Sequence, residues 1–428
     1  MVKRRVGAWV RSLMVAVIGT LGSALLTPVT QAQIFPDPTL NTQTFGVCGG
    51  SGGACGITNG TIRGSNLFHS FQQFSLPNGD FAAFIINNPA IQNVLVRVTG
   101  NTLSNINGTI ATTDPTGTTV VPTNFFLLNP NGIVFGPGAT LLNGGSFLAT
   151  TAERMLFQDG TVFDTRDTTV NSLLTVSVPT GLQMGHTPGA IQMRETLLRA
   201  GINSLFTGLT LVGRDVSLEN AAIFTPGRRV ELGAVAGGGN VELDASGRLN
   251  VPDGVPRGDV SFSNNSLVNV QLQSGSDGDI GITANNISVL SGSVLAAGIL
   301  PGLGTATSQA GDITLNATGQ VQVNSAGQAT GIGNVVSANA TGSGGNLRIT
   351  ANSLEVLNGA QLSTSTFGSG DAGNVVISAR DRILFSGTNT SALSRVEATG
   401  VGNGGNVQID TVVHQVMVGY VTRSCHIQ

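Results

Sequence analysis

The sequence predicts an all-β chain wound into a right-handed parallel β-helix, a single-stranded solenoid closed by an N-terminal cap. Three observations carry that expectation. Apolar residues fall in short alternating runs, and glycine makes up 60 of the 428 residues, which disfavours long helices and supplies turns. Phe125 to Phe135 reads FFLLNPNGIVF, two apolar runs flanking Asn129-Pro130-Asn131-Gly132, and further turns follow at Gly136 to Ala139 and Asn143 to Gly145. From Gly238 a phrase recurs: GGNVEL at Gly238, GDVSF at Gly258, GDIGI at Gly278, GDITL at Gly311, GGNLRI at Gly344, AGNVVI at Ala372 and GGNVQI at Gly404. Steps between Asp279, Asp312, Asn346, Asn374 and Asn406 are 33, 34, 28 and 32 residues, a period with slack in its loops, as in a repeat array.

Such a unit cannot bury its apolar face alone. Neighbours must stack about 4.8 Å apart, with inward Val, Ile and Leu in continuous columns. The usual crossover preference sets the hand, Asn and Gly suit corners of positive φ, and in-register stacking permits Asn ladders. With a coil of roughly 20 to 33 residues, the rod would be on the order of 60 to 90 Å long.

At the N-terminus, residues 1–32 read as a signal peptide. Lys3, Arg4, Arg5 and Arg11 are its basic region, Leu13 to Leu26 its apolar region, and cleavage is expected between Ala32 and Gln33. Pro28 cuts the apolar run short of the about twenty residues a membrane span needs. Cleavage removes four basic residues and no acidic one, leaving 16 basic against 23 acidic residues, a net charge of −7. Charged residues are 10% of the chain and form no basic run after the signal, which argues against a nucleic-acid partner.

Ile34 to Asn59, rich in Gly, Pro and Thr, reads as an irregular cover. Cys48 and Cys55 enclose only small residues, and in an exported chain a small local disulfide is favoured over free thiols or a metal pair. Cys425 is left over. Phe81 to Ile86 and Asn93 to Thr99 read as strands, the second with period two in Val94, Val96 and Val98. Asp-Gly turns the chain in FQDGTVF, and LLTVSVPTG and LTLVGRDVSL follow. Between those two, Ala190 to Ala200 is the one segment expected to turn briefly helical, as a surface excursion. Residues 238–410 form the repeat region, and 411–428 are an off-pattern tail in which the repeat is lost.

Several phrases together resemble the secretion domain of two-partner-secretion exoproteins of the filamentous haemagglutinin type. NPNGI at Asn129 to Ile133 matches one of its signature motifs, in the setting FFLLNPNGIVFGPGA then GGSFLATTA. NLFHSFQQFS at Asn66, LLTVSVPTGLQMG at Leu173 and TPGRRVELGAVAG at Thr225 extend the likeness over most of Ile57 to Gly237, the Gly-Asn/Asp repeats carry it to about Asp410, and the secretion domain is expected over residues 33–237, while the second family motif, NPNL, is absent. The resemblance implies export through the periplasm and outer membrane. It also implies recognition by a β-barrel transporter with periplasmic recognition domains, and a secreted or cell-surface destination, for example as an adhesin with a cell-surface or carbohydrate receptor. Asn129, Pro130, Asn131, Gly132 and Ile133 are the expected secretion motif, read as a corner turn that holds coils together.

Two other functions fit a β-helix. One is a polysaccharide lyase or hydrolase, and hydrolysis of a glycosidic bond needs two carboxylates about 5 to 10 Å apart. Asp215 with Glu219 and Asp371 with Asp381 are candidates, yet most acidic residues sit at Gly-Asp corners where turn chemistry explains them. A toxin carrier would need a C-terminal effector domain, and this chain reads instead as a truncated passenger. His69, His186, His414 and His426 lack metal spacing, and His69 beside Phe68 and Phe71 reads as a core histidine. No catalytic residue, metal or cofactor is expected.

Overall fold

The computed structural model describes residues 33–50, 52–167, 174–199, 207–244, 246–411 and 416–418. Ala32 and the rest of the expected signal peptide, His414, Cys425 and His426 lie outside the described residues.

Alternating apolar residues become strands whose every second side chain points inward, and short turns return the chain to the same place one layer up. The first of three faces starts at Asn66–Phe74 and continues through Asn93–Val98, Asn124–Leu128, Phe147–Thr150, Gly208–Gly213 and Arg229–Ala234. It then takes Ile280–Ala284, Ile313–Ala317 and the first halves of Leu347–Leu357 and Val375–Ser386, and ends at Val407–Thr411. Every pairing along it is parallel and in register, so Leu67, Val94, Phe125, Phe147 and Leu209 begin an inward column that ends at Leu347, Val375 and Val407. A second face carries Ser104–Ile106, Ile133–Phe135, Ile191–Arg194 and their successors up to Val416–Val418. A third carries Phe81–Ile85, Thr109–Thr113 and Thr140–Leu142 below, and Leu197–Arg199 to Ser391–Leu393 above. The parallel β-helix expected from the sequence is therefore the fold.

Eleven strands stack on the first face among the described residues, and ten spacings of about 4.8 Å make a column of about 48 Å. That is shorter than expected, because two stretches of chain leave the solenoid. Both depart where the first face turns toward the second, after Thr150 and after Ala234, and together they build an antiparallel outer sheet. Its strands are Arg154–Phe157, Val162–Asp164, Pro179–Met184, Gly239–Leu243 and Leu249–Asn250.

The outer sheet has its own core. Met155, Phe157, Phe163, Leu182, Met184 and Val241 pack onto Phe68, Leu95, Phe126, Leu148 and Val212, which project outward from the first face. Asn93–Val98 is consequently buried on both sides, although its sequence reads as a one-sided strand. GGNVEL at Gly238 belongs to this sheet and is no coil of the solenoid. GDVSF at Gly258 lies on the second face, where Val260 stacks between Val216 and Ile287. The five later copies are the ones that share the first face.

Two local expectations change. Ala190 to Ala200 contains strands, Ile191–Arg194 and Leu197–Arg199, instead of a helical turn. Ile191 and Met193 point inward between Ile133 and Phe135 below and Val216 and Leu218 above, so parallel neighbours on both sides override a weak local preference. The N-terminal cover is more regular than its composition suggests. Ile34–Pro36 pairs antiparallel with Asn66–Phe74, and Thr42–Gly46 with Ala54–Asn59, which joins the third face. Cys48 and Cys55 stand at bonding distance beside that hairpin, their Cα atoms 4.6 Å apart.

Candidate functional site

Asn129 to Ile133 forms the corner between the first and second faces, and the reason is local. Pro130 cannot continue a strand, Gly132 takes φ +125°, and the Asn129 side chain folds forward to accept from the Asn131 backbone N–H at 3.0 Å. Asn129 is fully buried. Its amide nitrogen donates to the Thr102 carbonyl at 3.0 Å and the Ser104 hydroxyl at 2.9 Å in the coil below, while its backbone N–H donates to Thr150 O at 2.9 Å in the coil above. Pro130 O accepts from Gly189 N at 2.8 Å, and Ile133 N donates to Ala190 O at 3.1 Å. One corner thus fastens three layers, the uppermost at the point where the chain returns from its first excursion.

The exposed member is Asn131, whose amide donates to Gly100 O at 2.8 Å and to Asn129 Oδ1 at 2.8 Å. Gly132 faces Ala190 O at 3.2 Å from where a Cβ would stand, so a side chain there meets both crowding and an unfavourable φ. The motif therefore spends nearly all its polar groups on its own neighbours.

A second junction, unread in the sequence, lies beneath the outer sheet. Arg97 is 3% exposed. Its Nε donates to Ser70 Oγ at 3.0 Å, one terminal nitrogen to Asp164 O at 2.6 Å and the other to Thr39 Oγ1 at 3.0 Å, and the guanidinium sits 5.1 Å from the Phe163 ring centroid. It joins the cap, the solenoid and the outer sheet. Burial lowers its pKa, against the opposing pull of Asp37, Asp164 and Asp167. At Asp37 burial pushes the other way, but hydrogen bonds from Thr39 and Thr99 and the Arg97 charge hold the carboxyl below its ordinary value. The signal for this junction is an arginine in the middle of NVLVRVT, where an ordinary one-sided strand would place it in water.

His69 is a core histidine: burial depresses its pKa to about 3, its ring packs edge-on against Phe84, and Nδ1 lies 3.2 Å from Thr42 Oγ1. Three of the four candidate carboxylates, Asp215, Glu219 and Asp371, accept from the next layer. Asp215 accepts from Asp259 N at 3.0 Å and pairs with Arg214 at 2.8 Å, and Glu219 accepts from Asn264 at 3.3 Å. Asp371 accepts from the backbone and side-chain nitrogens of Asn403, and Asp381 is exposed. Asp279, Asp312, Asn346, Asn374 and Asn406 form a ladder, each side-chain oxygen accepting the next layer's backbone N–H at 2.8 to 3.0 Å. Asn66, Asn93 and Asn124 make a second one, amide to carbonyl, at 2.8 and 2.9 Å.

Residues 32–282 match the TPS secretion domain family. Among solved structures, the filamentous hemagglutinin secretion domain is similar at 13% identity and a TM-score of 0.43, over 88% of this chain and 100% of that one. The HMW1 secretion domain from Haemophilus influenzae is similar at 13% identity and a TM-score of 0.41, over 86% and 98%. No curated protein matches the chain.

Proposed function

The chain belongs to the TPS secretion domain family, whose members are secreted exoproteins served by a cognate outer-membrane transporter, and from that premise we propose that it is a surface adhesin exported by the two-partner route. Removal of residues 1–32 leaves Gln33 as the first mature residue, whose carbonyl accepts from Ser75 N at 3.0 Å. Residues 33–237 act as the secretion domain that the transporter's periplasmic domains recognise, although the family match continues to residue 282. Residues 238–410 are the repeat region, whose first copy completes the outer sheet and whose later copies extend the rod, and 411–428 are the segment in which the sequence repeat is lost. The protein acts by binding and not by catalysis, without cofactor or metal, and Cys48 and Cys55 pair once the chain has left the reducing cytoplasm.

The observation that supports this reading most directly is the three-layer corner at Asn129 to Ile133. Its polar groups are consumed internally, so the motif acts on export by shaping the first coils, which the transporter reads as a folded or folding edge. Co-expression with a two-partner outer-membrane transporter of this family tests it. The Asn129→Ala and Gly132→Val variants should accumulate in the periplasm while Asp381→Ala reaches the medium at the parental level. Normal export of both motif variants, or export without the transporter, would defeat the proposal.

A further inference from the structure

We propose that the cleft between the first face of the solenoid and the outer sheet binds a short, uncharged oligosaccharide. The cleft has a volume of about 580 Å³, within the range of about 300 to 1,000 Å³ usual for small-ligand sites. Phe126 and Leu148 form an apolar floor, and Gln92, Gln158, Arg229 and Asp277 stand around it. Apolar surface below amides, a guanidinium and a carboxylate suits a sugar ring, which offers a C–H face to the floor and hydroxyls to donors and acceptors at its edge.

Two features mark this as more than a gap between layers. Asp277 holds φ +132°, a conformation unfavourable to a residue with a Cβ, although Gly275 and Gly278 flank it. A carboxylate is kept where glycine is the easier choice, and its side chain is 42% exposed at the cleft. Beside it, Arg229 is 15% exposed, pairs with Asp279 at 2.6 Å and stands 4.0 Å from Asp277, while its Nη1 is buried 3.5 Å from Glu231. A guanidinium fixed by carboxylates therefore edges the cleft next to an accessible acceptor.

Charge selects the ligand class. Asp244 and Asp277 line the cleft with Arg229 as the one cation among the described lining residues, and Arg248 beside it is held by Asp279 at 3.2 Å, so polyanions such as uronates are disfavoured and neutral hydroxyl-rich chains are not. Glu231 does not line the cleft, and the site is assigned to binding alone. The inference rests on the adhesin reading only for its biological setting, since binding is measured on purified mature chain without any transporter.

The test is isothermal titration of residues 33–428 with maltotetraose, cellotetraose, N-acetylated chitotetraose and tetragalacturonate. At least one neutral tetrasaccharide should bind, and tetragalacturonate at least tenfold more weakly. Asp277→Gly removes the carboxylate while relaxing its φ, so the melting temperature should hold or rise while affinity falls at least tenfold. Gln158→Ala, on the opposite wall, should weaken binding severalfold. Absence of binding by all three neutral probes, preference for tetragalacturonate, or parental affinity in Asp277→Gly would overturn the proposal. Failed export with intact sugar binding would instead count against the transport reading.

Discussion

Replacing Asn129 by alanine removes four side-chain hydrogen bonds at a fully buried corner: two donated, to Thr102 O and Ser104 Oγ, and two accepted, from Asn131 N and Nδ2. Each contributes about 0.5 to 1.5 kcal/mol net, and the Ser104 hydroxyl, on a fully buried residue, loses this partner where water does not reach, so the total is about 3 kcal/mol. Asn131→Ala removes two donated bonds at an exposed position, with an expected loss of about 1 kcal/mol. The mature chain has no tryptophan, so urea unfolding is followed by far-UV circular dichroism. With a denaturant slope near 3 kcal/mol per molar, the Asn129→Ala midpoint should fall by about 1 M. An unchanged midpoint, or a larger loss in Asn131→Ala, would refute the reasoning that the motif is first a structural corner.

Other consequences follow from the same contacts. Arg97→Met keeps the packing over Phe163 but removes the bonds to Ser70, Asp164 O and Thr39, and should cost about 3 kcal/mol in the same unfolding assay. Asp37 has a lowered folded-state pKa, so its stabilisation is complete above its unfolded value near 4 and is lost as pH falls through the folded value; Asp37→Asn should flatten the acid limb of stability measured from pH 5 down to pH 2. Glu231 behaves oppositely. Burial raises its pKa to about 7 despite Arg229 and Arg248, so stability is full below about pH 4 and declines as pH rises through 7, by up to about 3 kcal/mol, and Glu231→Gln should reduce that decline. Replacing Cys48 and Cys55 by serine should cost about 2 kcal/mol and raise amide exchange in Thr42–Gly46 and Ala54–Asn59, leaving the upper coils unchanged.

The solenoid was legible because its causes are local and repeated. Val375, Ile377, Gly373 and Asn374 each announce a strand face or a corner, and the next copy arrives about 30 residues later at Val407. The outer sheet was not legible, because its strands pair antiparallel over long separations: Leu182 meets Val241, and nothing in GGNVEL distinguishes it from the copies that stack in the rod. Burial of both faces of Asn93–Val98 depends on that sheet, and so does the role of Arg97. The turn at Asn129 to Gly132 could be read from residue chemistry, whereas its grip on Gly100, Thr102 and Gly189 needed the neighbouring layers.

The central claim is that successive coils climb one axis in register, and paired spin labels measure it directly. Gln192, Gln322 and Leu384 occupy one column of the second face, linked through Ser217, Ser261 and Ser288 and then through Glu355, so four layers separate the first two residues and six separate the first from the last. Cα separations of about 19 and about 29 Å are expected. With Cys425 replaced by serine, labels at residues 192 and 384 should lie about 10 Å farther apart than labels at 192 and 322, each in a single narrow distribution. Equal distances, a shorter 192–384 distance, or broad distributions would contradict the stacked solenoid.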